Sequence, residues 1–191
     1  MIRRSANLVL FCIAAALCYG MQVSKPHYAD LTGPIPVYGR IGETVDARGF
    51  SLKVEKVAFA RKLKTSAFGA QKVLTTGGVW AIVTAEIAAG STSTTIWGGI
   101  WKGPTGLRYD TTERLLSVPG APPYFVEPGL PKKVRFVFEF PTDQANGATL
   151  LVSNARFFAL DSEARITLGG VTSGGSNSPT TMETFDLDQP I

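Results

Sequence analysis

The chain has 191 residues, of which 45% are hydrophobic and 18% charged, with a formal net charge of +4. That is apolar material for one packed domain, with a charge balance too modest to call for a nucleic-acid partner. The lone histidine, His27, and both cysteines, Cys12 and Cys18, lie near the N-terminus. The remainder therefore offers no Ser-His-Asp or Cys-His machinery, no disulfide and no zinc-thiolate site. No cofactor and no metal are expected, and the chain reads as non-enzymatic.

Between Arg4 and Lys25 there is no charge, and Leu8 to Tyr19 is apolar throughout. About twenty uncharged residues wound as a helix span about 30 Å, the thickness of a bilayer's hydrocarbon layer. Arg3 and Arg4 precede that run, so the positive-inside bias holds the N-terminus in the cytoplasm and sends the chain beyond Lys25 across. Residues 1–23 are expected to be a transmembrane signal anchor of a single-pass cell-membrane protein. The alternative is a cleaved signal peptide and a secreted chain, with Ala14 and Ala16 supplying the small residues a peptidase needs. Lipidation of Cys18 is disfavoured by Leu17 before it. Cys12 and Cys18, about 9 Å apart along a helix, are too distant to bridge.

Residues 24–40 read as an extended stalk, because Pro26, Pro34 and Pro36 forbid a continuous helix. From 41 to 169 the pattern is that of β-strands. Phe50, Leu52 and Val54 alternate with polar residues, and the alternation slips at Glu55-Lys56, which predicts a β-bulge. Val79, Ala81, Val83, Ala85 and Ile87 form one face of the next strand; Trp80 and Ile82 on the other face predict cover on both sides. Residues 100–102 and 107–109 flank the turn Gly103-Pro104-Thr105-Gly106, a hairpin signal. A loop with five prolines runs from Pro119 to Pro131. Val134, Phe136, Phe138 and Phe140 then mark a half-buried strand, with further strands at 149–152 and 164–168. About seven short strands with Gly/Pro turns predict an all-β, immunoglobulin-like antiparallel sandwich behind one N-terminal helix.

Residues 170–191 read as a flexible Gly/Ser/Thr-rich tail, ending in Met182 to Asp188, where apolar and acidic residues alternate. A frayed terminus is favoured there over a docking peptide. Asp186 and Asp188 are a weak calcium pair. Lys62, Lys64, Lys72, Lys132, Lys133 and Arg135 read as a solvated, dispersed set. All three tryptophans fall between residues 80 and 101. In a sandwich most would fill the core, yet Trp97, beside the run Gly90 to Thr95, can serve as an interface anchor. Trp97, Trp101 and Lys102 are accordingly the first candidate contact surface, aromatic and basic together. Phe185 and Leu187, adding a strand to a partner's sheet, are the second.

Several stretches occur in an order that resembles the telokin-like, immunoglobulin-fold domain of bacterial envelope proteins of unassigned function. They are Gly42-Glu43-Thr44-Val45 with Phe50 to Val54; Trp80 to Ile87; Gly103 to Tyr109; Glu127-Pro128-Gly129 leading into Phe136 to Pro141; and Ala164 to Gly169. Ala88-Ala89-Gly90 departs from the polar turn usual in that family. The resemblance implies a fold and an exported compartment, with no catalytic residues. The expected function is a membrane-anchored extracytoplasmic interaction module, an accessory or scaffolding subunit beside an integral membrane or envelope protein. The alternatives are a small-ligand or wall-polymer binder using Tyr124-Phe125 and the Trp97/Trp101 region, or an unrecognised carboxylate hydrolase.

Overall fold

The computed structural model describes residues 2–24, 33–67, 70–115, 118, 120–154, 161–169 and 180–191. The chain divides into two units, residues 1–33 and 34–191. In the first, helix α1 runs over Ile2–Val23, and the Ser24 hydroxyl closes its last turn by donating to the Gly20 carbonyl at 2.7 Å. Among the described residues, no helix is long and apolar enough to cross a membrane. Cys12 and Cys18 are exposed, free thiols.

The second unit holds β1 (Ile35–Arg40), β2 (Thr44–Ala47), β3 (Phe50–Ala67), β4 (Ala70–Ala89), β5 (Thr94–Ile96), β6 (Gly99–Lys102), β7 (Arg108–Asp110), β8 (Tyr124–Val126), β9 (Lys132–Phe140), β10 (Thr149–Val152), β11 (Ser162–Thr167) and β12 (Thr181–Asp186). Sheet I has the order β1-β11-β10-β6-β7, and sheet II the order β12-β3-β4-β9 with β2 also on β3; β5 and β8 form a separate ribbon. Setting β1, β2 and β12 aside, β3-β4-β9 faces β11-β10-β6-β7 in the connectivity of an immunoglobulin sandwich, A-B-E against G-F-C-C′.

The sandwich is not purely antiparallel. β1 runs parallel to β11, and β12 parallel to β3. Parallel neighbours need a long connection, and in both pairs most of the unit's chain lies between the two strands. Residues 25–32 of the expected stalk lie outside the described residues, but its end is strand β1. Pro36 is accommodated there because β1 is an edge, where one missing N–H costs no ladder bond. Residues 170–179 of the expected tail also lie outside the described residues, whereas 181–186 are a paired strand rather than a frayed end.

The inter-sheet core follows the sequence alternation. Phe50, Leu52, Val54, Val83, Ala85, Ile87, Val134, Phe136, Phe138 and Phe140 are all buried in one cluster. The slip predicted at Glu55-Lys56 is present as a register shift between Val54 and Lys56. A second shift follows Ala60, where β4 carries Gly77-Gly78. A Cβ on Gly78 would overlap the main-chain carbonyl of Phe140, so this close approach requires glycine. Sheet II is buried on its outer face too. Leu63, Leu74, Trp80, Ile82, Leu115 and Val137 form a second cluster, with Phe185 and Leu187 packed on it.

Candidate functional site

The two candidate tryptophans separate. Trp101 is fully buried, stacked on Phe140 with ring centres 4.7 Å apart and set edge-on to Phe59 at 6.0 Å. Its indole N–H donates to the Gln144 carbonyl at 2.9 Å. Trp101 is therefore a core residue and not a contact residue: the alternation of β6 turns Gly99 and Trp101 inward and Ile100 and Lys102 outward. Lys102 is exposed at the far end of β6, beside the turn that leads to β7.

Trp97 is 45% exposed. It follows the ribbon in which Ile96 lies opposite Tyr124 and Thr95 opposite Phe125. Ile96, Tyr124 and Val126 face the core, whereas Phe125 is 66% exposed. The Tyr124 hydroxyl donates to the Arg135 carbonyl at 2.6 Å, and burial pushes that phenol's pKa well up. The ribbon is thereby pinned to β9 with Phe125 outward, on the same side as Thr95. Just after Trp97, the Thr111 hydroxyl accepts from the Gly99 N–H at 2.8 Å and donates to the Gly99 carbonyl at 3.0 Å. That clamp fixes where β6 begins and so where Trp97 leaves the sheet.

Trp97 borders a groove of about 600 Å³ that also takes in Ile100, Leu151, Asp110, Glu113, Glu163 and the Pro122-Pro123 pair. The bond between those prolines is cis. Glu163 is buried and accepts from the Arg165 Nε at 2.8 Å. Three carboxylates line the groove, and among the described residues no Lys, Arg or His does. Glu163 is offset by its Arg165 partner, so Asp110 and Glu113 supply the negative charge of the groove wall. The exposed tryptophan is thus accompanied by acids, not by Lys102. Of the Tyr124-Phe125 pair that the sequence offered as an alternative binding loop, Phe125 is the exposed member. Its signal was the alternation Tyr124-Phe125-Val126, which puts only the middle residue outside.

Phe185 and Leu187 are half-buried against the second cluster of their own chain, with β12 paired to β3. The tail acids hold the tail itself. Glu183 pairs with Lys62 at 2.8 Å, Asp186 approaches Lys64 at 4.0 Å, and Asp188 accepts from the Ser66 N–H at 3.1 Å. Among the described residues, no group of three or more His, Cys, Asp or Glu is placed to hold a metal.

No family model matches the chain, and no curated protein does. Three solved structures are similar to it. The yjhA protein of Bacillus subtilis is 16% identical, with a TM-score of 0.49 over 68% of this chain and 98% of that one. An uncharacterised β-sandwich protein of Clostridium difficile 630 is 12% identical, with a TM-score of 0.44 over 71% and 95%. The secreted protein MPT63 of Mycobacterium tuberculosis is 15% identical, with a TM-score of 0.43 over 67% and 97%. The β-sandwich itself stands on the strand order and core of this chain.

Proposed function

We propose that this chain is a non-catalytic extracytoplasmic interaction module of the telokin-like, immunoglobulin-fold kind, tethered by its N-terminal helix. It receives a basic segment of an envelope or membrane protein on the Trp97–Phe125 ribbon and in the acidic groove beside it. The observation that carries this reading is the exposure of Trp97, at 45%, on a groove lined by Asp110, Glu113 and Glu163, with Phe125 of the adjoining ribbon exposed as well. Large aromatics are the side chains that anchor interfaces, and the tryptophan face also attracts a Lys or Arg cation. Carboxylates in a concave wall favour such a cation and speed its approach. The uncharged run after Arg3 and Arg4 supports export, and the ordered stretches resembling envelope domains support the same compartment.

The test uses the full chain purified in mild detergent. Trp97→Ala with Phe125→Ala is expected to keep the melting temperature and to lose a partner that co-purifies stoichiometrically with the parent. A partner retained in full by the double variant rejects the site. A saccharide that raises the parent's melting temperature, with no protein partner present, assigns the same aromatics to polymer binding instead.

A further inference from the structure

We propose that the outer face of sheet II is an acceptor site for an extended acidic strand, and that a second copy of this chain can fill it, by exchange of C-terminal strands. The inference is independent of the Trp97 groove. The occupant in the structure is β12 of the same chain, in parallel register with β3 from Thr181 opposite Phe59 to Asp186 opposite Lys64. The Leu187 N–H continues the ladder to the Lys64 carbonyl at 2.9 Å.

Recognition is spread along the whole segment. Glu183 meets Lys62 and Asp186 meets Lys64, while the Ser66 N–H donates to Asp188. Phe185 and Leu187 seat on the Leu63, Leu74, Trp80 and Val137 cluster. Arg135 closes the far end, its Nη1 and Nη2 donating to the carbonyls of Leu187 and Pro190 at 2.8 and 3.1 Å. Residues 180–191 contain three acids and no Lys or Arg, and the facing side chains Lys62, Lys64 and Arg135 are all cations. This is charge complementarity between a peptide and a site, combined with main-chain pairing and apolar pockets for alternate side chains.

These gripping residues lie on β3, β4 and β9, in sheet II. None is on β11, which belongs to sheet I and delivers the segment through residues 170–179. The acceptor thus reads the strand and not its connection. The same bonds form whichever copy supplies the strand, the condition for low-cost swapping. Ten linking residues reach at most about 36 Å, so the chain's own strand competes from millimolar effective concentration and wins in dilute solution. Exchange prevails when copies are crowded or when the link is too short to reach.

Two experiments on the full chain in mild detergent decide this. With residues 170–179 deleted, Gly169 and Thr180 become neighbours about 3.8 Å apart, less than the spacing of about 10 Å between packed sheets. The strand then cannot return to its own sheet II, and light scattering should give a dimer or larger closed assembly that excess free peptide 180–191 breaks down. A monomer, or an assembly indifferent to the peptide, overturns the exchange. In the second, a chain ended at Pro179 is titrated with labelled peptide 180–191. Saturable binding is expected, weakened at least tenfold when the peptide carries Glu183→Lys and Asp186→Lys. Absence of binding to a folded truncated chain, or binding indifferent to the charge reversal, overturns the acceptor site.

Discussion

The Trp101 indole N–H donates to the Gln144 carbonyl at 2.9 Å, and this bond ties β6 in sheet I to the loop that follows β9 in sheet II. A buried indole carries one polar atom that must be satisfied. Here its acceptor is main chain, so the ring can stack on Phe140 and meet Phe138 and Phe59 without leaving an orphaned donor. Five residues apart, Ile96 and Trp101 both face the core. The in-out alternation therefore changes parity across Trp97-Gly98, and that change puts Trp97 outside.

The two tryptophans should respond oppositely to truncation. Trp101→Ala removes a fully buried ring and leaves the Gln144 carbonyl short of its donor, a loss of about 3–5 kcal/mol. Trp97→Ala should stay within about 1 kcal/mol, as an exposed position does. Urea unfolding of the two variants checks the contrast, and equal losses would place Trp97 in the core as well.

Phe138→Ala opens a cavity between the sheets, where Phe138 lies against Trp101 with ring centres 5.8 Å apart. The expected cost is about 3–5 kcal/mol, a large share of the stability of a domain this size. The midpoint of denaturant unfolding reads it directly, and a cost under about 1 kcal/mol would contradict the packing described.

Gly78→Ala tests the close crossing of β4 over the end of β9. Its new methyl would overlap the Phe140 carbonyl, which is backbone and cannot turn aside as a side chain does. A loss of about 1–3 kcal/mol is expected. Gly77→Ala, next to it and in open space, is the control and should be far milder.

Legibility in the sequence followed the range of the interactions. The strand Lys132–Phe140 was readable because Val134, Phe136, Phe138 and Phe140 recur at every second position, a pattern complete within nine residues. The bulge at Lys56 was readable for the same reason. β12 was not, since Met182 to Asp188 suits either a frayed end or a docked strand. The residues that decide between them, Lys62 and Lys64, lie more than a hundred residues earlier. β1 was hidden by its prolines, which signal a stalk unless one knows that the strand is an edge. Trp97 and Trp101 share parity in the sequence, and only the change of direction at Gly98 separates one from the other.

Docking of β12 should depend on pH, and its carboxylates set the sign. The hydrogen bond and charge of Lys62 hold Glu183 below the ordinary glutamate range, and the hydrogen bonds from Ser66 hold Asp188 below the ordinary aspartate range. A carboxyl whose pKa is lower when docked than when free stabilises docking above the free value. That stabilisation is lost as the pH falls through the docked value. Free carboxylates titrate near pH 4, so β12 should be fully docked at neutral pH and loosen progressively as the pH falls below about 4. Amide exchange at Phe185 and Leu187, measured across that window, should accelerate ahead of exchange in β9. Lys62→Met removes the main cause of the Glu183 shift and should flatten part of that pH dependence while leaving the contribution of Asp188 in place. Exchange in β12 that tracks β9 at every pH would show that the strand opens only when the whole sandwich does.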